Sequence, residues 1–113
     1  MKRLPFSEGE AEPIAEYGSV RANAAAIAAG EGEAHVYRVH IEPGGQIGSH
    51  PAGFGQLFFV TAGSGWVADG AGERWQLSAG EGAFIAKGEV HAKGSDAGMT
   101  ALMIQVSDLE LTD

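Results

Sequence analysis

The chain has 113 residues, enough to bury one hydrophobic core, so we expect a single domain. Hydrophobic residues make up 44% and charged residues 19%, a globular composition that is not the signature of a disordered chain. The formal net charge of −8 argues against nucleic acid and anionic membranes as partners, because both bind clustered basic residues. The absence of cysteine excludes disulfides, thiolate metal ligands and a cysteine nucleophile.

The N-terminal segment, residues 1–13, is acidic, and we interpret it as a solvated arm that precedes one domain at residues 14–113. An acidic interaction tail is the alternative. No charged-then-apolar signal pattern begins the chain, and no apolar run approaches the length of a membrane span. We therefore expect a cytoplasmic protein.

Residues 22–29, ANAAAIAA, give conflicting signals. Alanine favours a helix, while Asn23 and the following glycines favour a short or broken element. We favour a strand here only because the rest of the chain has a strong β pattern.

From residue 34 onwards, short runs of β-branched and aromatic residues alternate with Gly, Pro, Asp and Ser, a pattern typical of strands between turns. The predicted strands are 34–41, 56–61, 65–68, 73–77, 83–85, 90–93 and 100–106. Such closely spaced short strands predict an all-β sandwich or barrel.

The stretch DGAG at 69–72 contains Asp-Gly, which favours a tight hairpin because both residues adopt positive φ. Trp66 and Trp75 should lie on the two arms, where we expect them to pack on the sheet rather than bind a ligand.

The run that begins at Gln56 is apolar on both faces, which predicts a central strand covered on each side. Gln56 shares its face with Phe58 and Val60 because side chains alternate along a strand. A carboxamide in such a strand must find partners or face a wet cavity.

The stretch from Gly44 to Gly63 resembles the first motif of the cupin superfamily, G-x5-H-x-H-x3-4-E-x6-G, with every spacing kept. His50 stands at the first histidine position. Alanine, Ala52, replaces the second histidine, and Gln56 replaces the glutamate.

Residues 80–95 resemble the second motif, G-x5-P-x-G-x2-H-x3-N. Gly80, Gly88 and His91 keep their positions, while Ala86 and Ser95 replace the proline and the asparagine. The resemblance implies a jelly-roll barrel of two packed antiparallel sheets.

The resemblance also implies that His50, Gln56 and His91 surround one cavity and hold a divalent metal ion such as Zn, Ni, Fe or Mn. Without the carboxylate, a metal would be held weakly. The other interpretation is a metal-poor pocket in which the histidines act as hydrogen-bonding or acid–base groups.

Further residues are candidates for the same pocket. Lys93 shares the face of His91 and offers a cation for an anionic ligand, although a surface lysine with a packed stem is the alternative. Apolar wall or core positions are Phe54, Phe58 and Met103. We interpret His35 and His40 as structural or surface histidines, and we expect the backbone at Gly53 and Gly55 to pass close to the contents of the cavity.

Three functional hypotheses follow from these residues. The first is a small-molecule-binding cupin with a weakly held metal or none. The second is a metal-dependent enzyme of the oxygenase or isomerase type, and the third is a structural or regulatory dimer with a vestigial site. Small cupins commonly pair and exposed sheet edges need cover, so we expect a homodimer. No Ser-His-Asp triad is indicated, and no catalytic residue is assigned.

Overall fold

The structure is a computed structural model that describes residues 1–6 and 9–112. Within these ranges it consists of antiparallel strands and contains no helix, in agreement with the predicted all-β class. The strands are β1 (Lys2–Pro5), β2 (Glu12–Pro13), β3 (Asn23–Ala24), β4 (Ala28–Ile41), β5 (Gly45–Pro51), β6 (Gly55–Ala68), β7 (Arg74–Ser78), β8 (Glu81–Ile85), β9 (Val90–Ser95) and β10 (Met99–Leu111).

Two packed layers share the long strand β6. The first layer has the order β1-β8-β6-β10-β4, and in the second layer β9 pairs with β5 and with β6, while β6 also pairs with β7. The first half of β6 pairs with β8 and β10, and its second half pairs with β7 and β9. This arrangement is the jelly roll that the sequence motifs imply.

The sequence predicted two strands, 56–61 and 65–68, where the structure has a single bent one. The bend includes Gly63, whose φ is 74°. A Cβ atom there would lie 2.2 Å from the carbonyl oxygen of Gly98, so only glycine fits. Gly63 thus bends one continuous strand, whereas the sequence pattern indicates a strand boundary there.

The hydrophobic core lies between the two layers. Burial of each large apolar side chain there contributes about 1.5–3 kcal/mol. Its buried members are Ile41, Phe58, Val60, Val67, Leu77, Ala83, Met99 and Ala101.

The strands that the sequence missed are polar or glycine-rich and depend on their partners. Strand β1 belongs to the segment expected as an arm, yet its residues pair with β8, where Leu4 opposes Gly82. Strand β5 has the sequence GQIGSHP and is held by β9. In the ambiguous stretch 22–29, Asn23–Ala24 pairs with β2 and β4 begins at Ala28, so the favoured extended structure is present.

The predicted hairpin joins β6 to β7, but through a longer turn than expected. The Asp69 carboxylate accepts hydrogen bonds from the backbone N–H groups of Ala71 and Glu73, both at 3.0 Å. The residue with positive φ in this turn is Gly72, and Asp69 and Gly70 do not have positive φ. Trp75 opposes the core residue Val67 across the hairpin, so packing of this ring is confirmed.

No helix in the described part of the chain is long and apolar enough to cross a membrane.

Candidate functional site

One end of the barrel carries a row of polar side chains across three neighbouring strands of the first layer. Gln105 of β10 opposes Gln56 of β6 on one side and His35 of β4 on the other. Directly opposed residues in an antiparallel sheet point to the same face, and Gln56 shares its face with the core residue Phe58. The row therefore lies on the interior face, and Gln105, which the motifs do not include, belongs to it.

The second layer contributes a pair of directly opposed histidines. His50 of β5 opposes His91 of β9, and their ring centroids are 4.5 Å apart. His91 is 1% exposed, whereas His50 is exposed to solvent. His50 therefore forms the solvent side of the pair and His91 the inner side.

Lys93 lies inside the barrel, two residues after His91 on the same strand. Its side chain is 1% exposed, so the alternative of a surface lysine is wrong. The Nζ atom is 3.1 Å from Nδ1 of His91 and 4.9 Å from the ring centroid of Phe58. The lysine thus spans from the second layer towards the first and contacts groups of both.

The hydrogen bonds of the two histidines determine which nitrogens face a ligand. The carbonyl oxygen of Gly48 lies 2.7 Å from Nδ1 of His50 and only accepts, so we assign the proton to that nitrogen and a lone pair to Nε2. When Lys93 is protonated, its ammonium donates to Nδ1 of His91, and in this state we assign the proton of His91 to Nε2. The pair therefore offers one acceptor at His50 and one donor at His91.

Two buried polar atoms of the site have no hydrogen-bond partner among the described residues. They are Oε1 of Gln56, a residue that is 3% exposed, and Nε2 of His91. Buried side-chain polar atoms in native proteins are usually paired. The described residues therefore leave the hydrogen-bonding capacity of these two atoms unused.

Burial changes the charge of both basic groups. Desolvation, together with the nearby charges of Lys93 and His50, lowers the pKa of His91 to about 4, while Glu89 opposes the change. His91 is therefore neutral at physiological pH. Desolvation also lowers the pKa of Lys93 to about 7.

The described residues give Lys93 no anionic partner. The ion pairs among them join Met1 to Glu89, Arg3 to Glu81 and His35 to Glu33, and none includes Lys93. The acid nearest in sequence, Glu89, binds the N-terminal ammonium at 2.6 Å. Among the described residues, no carboxylate therefore offsets the positive charge that Lys93 carries when protonated.

These residues do not fit a divalent metal ion. Ala52 is buried and has no donor atom, and Gln56 is neutral where a carboxylate would offset metal charge. No three His, Cys, Asp or Glu side chains converge within the described ranges. The proton assigned to Nε2 of His91 also occupies the atom that would ligate, and the Lys93 ammonium repels a second cation.

The remaining sequence candidates divide between the site and its surroundings. The Phe54 ring lies 5.7 Å from that of His35, so both line the same end of the barrel. Met103 packs against the core, and His40 contacts Thr100 on an exposed surface outside the site. His35, expected to be a structural or surface histidine, shares the alternation of the core residues of β4 and so has its side chain on the inward face.

The glycine expected to bring the backbone near a ligand has another role. A Cβ atom on Gly55 would lie 2.7 Å from Cβ of Leu109, so glycine is required there by packing between β6 and β10. Gly53 has open space around it. Packing thus explains the glycine at position 55, and the approach of this backbone to a ligand stays a prediction.

Two cavities of the described chain lie away from these side chains. One, of about 590 Å³, is bordered by Gly55, Phe84 and Leu109 on the face of the first layer that points away from the core. Another, of about 200 Å³, lies beside Leu4 and Leu111. The polar end of the barrel is closed over Gln56 and His91 in this conformation.

Solved structures share this fold. A cupin-like protein from Thermotoga maritima MSB8 is 25% identical with a TM-score of 0.63, and the match covers 70% of this chain and 64% of that one. The DMSP lyase DddQ from Ruegeria pomeroyi DSS-3 is 23% identical with a TM-score of 0.61, over 70% of this chain and 43% of that one. A predicted oxalate decarboxylase from Thermotoga maritima is 23% identical with a TM-score of 0.58, over 64% of each chain.

The curated proteins give no match to this chain. The family described as "Cupin domain" matches residues 37–105, a range that runs from β4 into β10 and contains both motif histidines and Lys93. The chain therefore belongs to the cupin domain family.

Proposed function

We propose that this protein binds a small organic molecule at the polar end of its barrel, between His50, Gln56 and His91. The observation that carries the proposal is the pair of buried atoms without partners, Oε1 of Gln56 and Nε2 of His91. Leaving a buried polar group unpaired costs about 1–3 kcal/mol. A ligand that supplied both hydrogen bonds would recover that free energy.

The polar atoms specify a pattern in the ligand. It carries an acceptor for the Nε2–H of His91 and a hydroxyl or amine donor for Oε1 of Gln56. The free Nε2 of His50 accepts a second donor at the solvent side. Phe54 and Met103 provide apolar surface nearby, as in most small-molecule sites.

Entry of the ligand requires movement of a covering side chain, because Gln56 and His91 are buried. His50 is the exposed member of the pair, and its ring lies 4.5 Å from that of His91. Rotation of the His50 ring is the smallest change that would uncover His91. We propose that His50 closes over the bound molecule.

The second candidate is a metal-dependent enzyme of the oxygenase or isomerase type, favoured by membership of a family that often binds metal. Two similar structures carry enzyme names, DMSP lyase and predicted oxalate decarboxylase. The donor set at His50, Gln56 and His91 argues against this candidate, because it is neutral and lies beside an amine. A metal, if bound here, would polarise a ligand oxygen as a Lewis acid.

The first experiment is elemental analysis by mass spectrometry of untagged protein purified without chelator. We compare the wild type with a His50→Ala, His91→Ala double variant and with His40→Ala, whose imidazole lies outside the site. We expect metal far below stoichiometric in all three proteins. Near-stoichiometric metal that only the double variant loses would replace the proposal with the enzyme.

The second arm is a thermal-shift screen with small organic molecules in the presence of chelator. Compounds that raise the melting temperature of the wild type and of His40→Ala, but not of the double variant, support the proposed site. A screen of broad chemistry without any such compound would favour a vestigial site in a structural dimer.

We also propose that the protein is a cytoplasmic homodimer. The outer face of the edge strand β4 and its neighbour β10 supports the pairing, because it exposes Val36 at 65% and Leu102 at 37%. Light scattering after gel filtration measures the mass, and a monomer at micromolar concentration would contradict the proposal. A Val36→Lys variant is expected to shift the equilibrium towards the monomer.

A further inference from the structure

The most unusual group in the barrel is the amine of Lys93. Fully buried lysines are rare unless an anion pairs with them. This side chain is 1% exposed and has no carboxylate partner among the described residues. Its position therefore requires an explanation beyond packing.

The groups around Lys93 do not neutralise its charge. The Phe58 ring lies 4.9 Å away and provides a weak cation–π contact, and His91 provides one acceptor nitrogen. His50, on the facing strand β5, is a further basic group. Glu89 is bound by the N-terminal ammonium and Glu33 by His35.

The hydrogen-bonding capacity of the ammonium is also incompletely used. An ammonium has three N–H donors, and within residues 1–6 and 9–112 Lys93 makes one hydrogen bond, to Nδ1 of His91. Two donors remain for another partner. Nε2–H of His91 adds a further open donor in the same interior.

We propose that Lys93 supplies the positive charge of this pocket itself and binds the carboxylate of a small hydroxy acid without a metal ion, an inference that rests on the proposed ligand site. The carboxylate accepts hydrogen bonds from the remaining N–H donors of Lys93, which lies on the Nδ1 side of the His91 ring, whereas the Nε2–H points away on the opposite side and is left to a separate acceptor. The ligand hydroxyl donates to Oε1 of Gln56, the one orphaned acceptor among the buried side-chain atoms of the described residues.

The single interior ammonium favours a monoanion. A carboxylate carries one negative charge and matches one ammonium, which makes the hydrogen bonds charge-assisted. A phosphate dianion would bring a second charge into a site whose other groups are neutral imidazole and carboxamide. Carboxylates are therefore the expected class.

The test compares acids with their uncharged amides. Acetate, glycolate and lactate are titrated into wild-type protein by isothermal calorimetry with EDTA present, each beside acetamide, glycolamide or lactamide. We expect the acids to bind at least about tenfold more tightly than the amides, and the hydroxy acids more tightly than acetate. This comparison needs no variant to fold.

Lys93→Met and Lys87→Met form a matched pair for the second arm, because Lys87 is exposed and borders the cavity of about 590 Å³ instead of contacting His91. Lys93→Met should lose at least about tenfold in affinity for the acids, while Lys87→Met keeps it. Circular dichroism verifies that both variants are folded.

The outcomes separate this inference from the proposed function. Amides that bind as tightly as acids, with affinity lost in His91→Ala but kept in Lys93→Met, would overturn the role of Lys93 and leave the ligand site in place. Acid binding that appears only without chelator would overturn it in favour of a metal. Absence of binding by every acid and amide would overturn the hydroxy-acid inference, whereas the proposed site itself is decided by the thermal-shift screen.

Discussion

Replacing Lys93 by methionine should stabilise the folded, ligand-free protein at neutral pH. Methionine has a similar length, carries no charge, and makes favourable contacts with aromatic rings such as that of Phe58, which lies 4.9 Å from the lysine nitrogen. The substitution therefore removes a buried amine and keeps most of its packing.

The magnitude follows from the pKa of Lys93, which burial lowers from 10.5 to about 7. A shift of this size, at about 1.36 kcal/mol per unit, corresponds to roughly 5 kcal/mol for holding the charged amine in the folded protein. Below pH 7 both the folded and unfolded states bind the proton, so this cost is fully present. It is relieved as the pH rises through the folded-state pKa and is gone near the unfolded-state value of 10.5.

The sign of the pH dependence is thus fixed. Between about pH 7 and 10.5 the unfolded chain binds more protons at this site than the folded chain, so the free energy of unfolding of the wild type rises with pH. Lys93→Met lacks that rise. The stability difference between variant and wild type should therefore be largest near pH 7 and shrink towards pH 10.

Urea unfolding followed by tryptophan fluorescence measures this difference at a series of pH values, because Trp66 is buried and Trp75 partly buried in the fold. The exposed Lys87→Met is the control and should show no pH-dependent difference from the wild type. A Lys93→Met difference that stays constant between pH 7 and 10 would refute the buried, uncompensated amine.

Three further predictions address the site and the fold. His91 should titrate with a pKa near 4 by histidine NMR, so a value near its ordinary 6.5 would mean that its ring is solvated. Ala52→His with Gln56→Glu restores the two missing metal donors. Adding Lys93→Met to this double variant should tighten metal binding at least about tenfold, because it removes a nearby cation, and competition with a chromophoric chelator measures the affinity. Equal affinities would mean that Lys93 does not lie near the bound metal. Gly94→Ala places a Cβ atom 2.2 Å from an indole carbon of Trp66 and should lower the free energy of unfolding by about 1–3 kcal/mol, as measured by urea unfolding. An unchanged unfolding midpoint would contradict this packing.

The sequence predicts the strands that carry their own hydrophobic pattern. The run from Gln56 to Val60 is apolar on both faces, and it occupies the shared strand β6 between neighbours on both sides. Strands β1 and β5 lack such a pattern, and the structure forms them through ladders to β8 and β9. Edge strands of this kind are determined by tertiary pairing, which residue propensity alone does not encode.

Motif spacing and strand alternation give different parts of the candidate site. The spacing indicated His50, Gln56 and His91, and the structure places the two histidines in direct opposition. Gln105 and His35 join the interior only through the register of β10 with its neighbours, which no local pattern fixes. Alternation placed Lys93 on the face of His91, but it left open whether the amine reaches solvent along a packed stem, which only the tertiary packing decides.

The substitutions that separate this chain from the motif pattern form one electrostatic change. The motif pattern implies a divalent ion with one carboxylate, an interior charge of about +1 when the histidines are neutral. Here Gln56 removes the carboxylate, and protonated Lys93 within a neutral histidine environment also gives about +1. The barrel would thus retain its preference for a monoanion after losing its metal donors. The two kinds of site differ in their response to chelator and to Lys93→Met, and for this reason acid binding in EDTA discriminates between them more directly than a measurement of affinity alone.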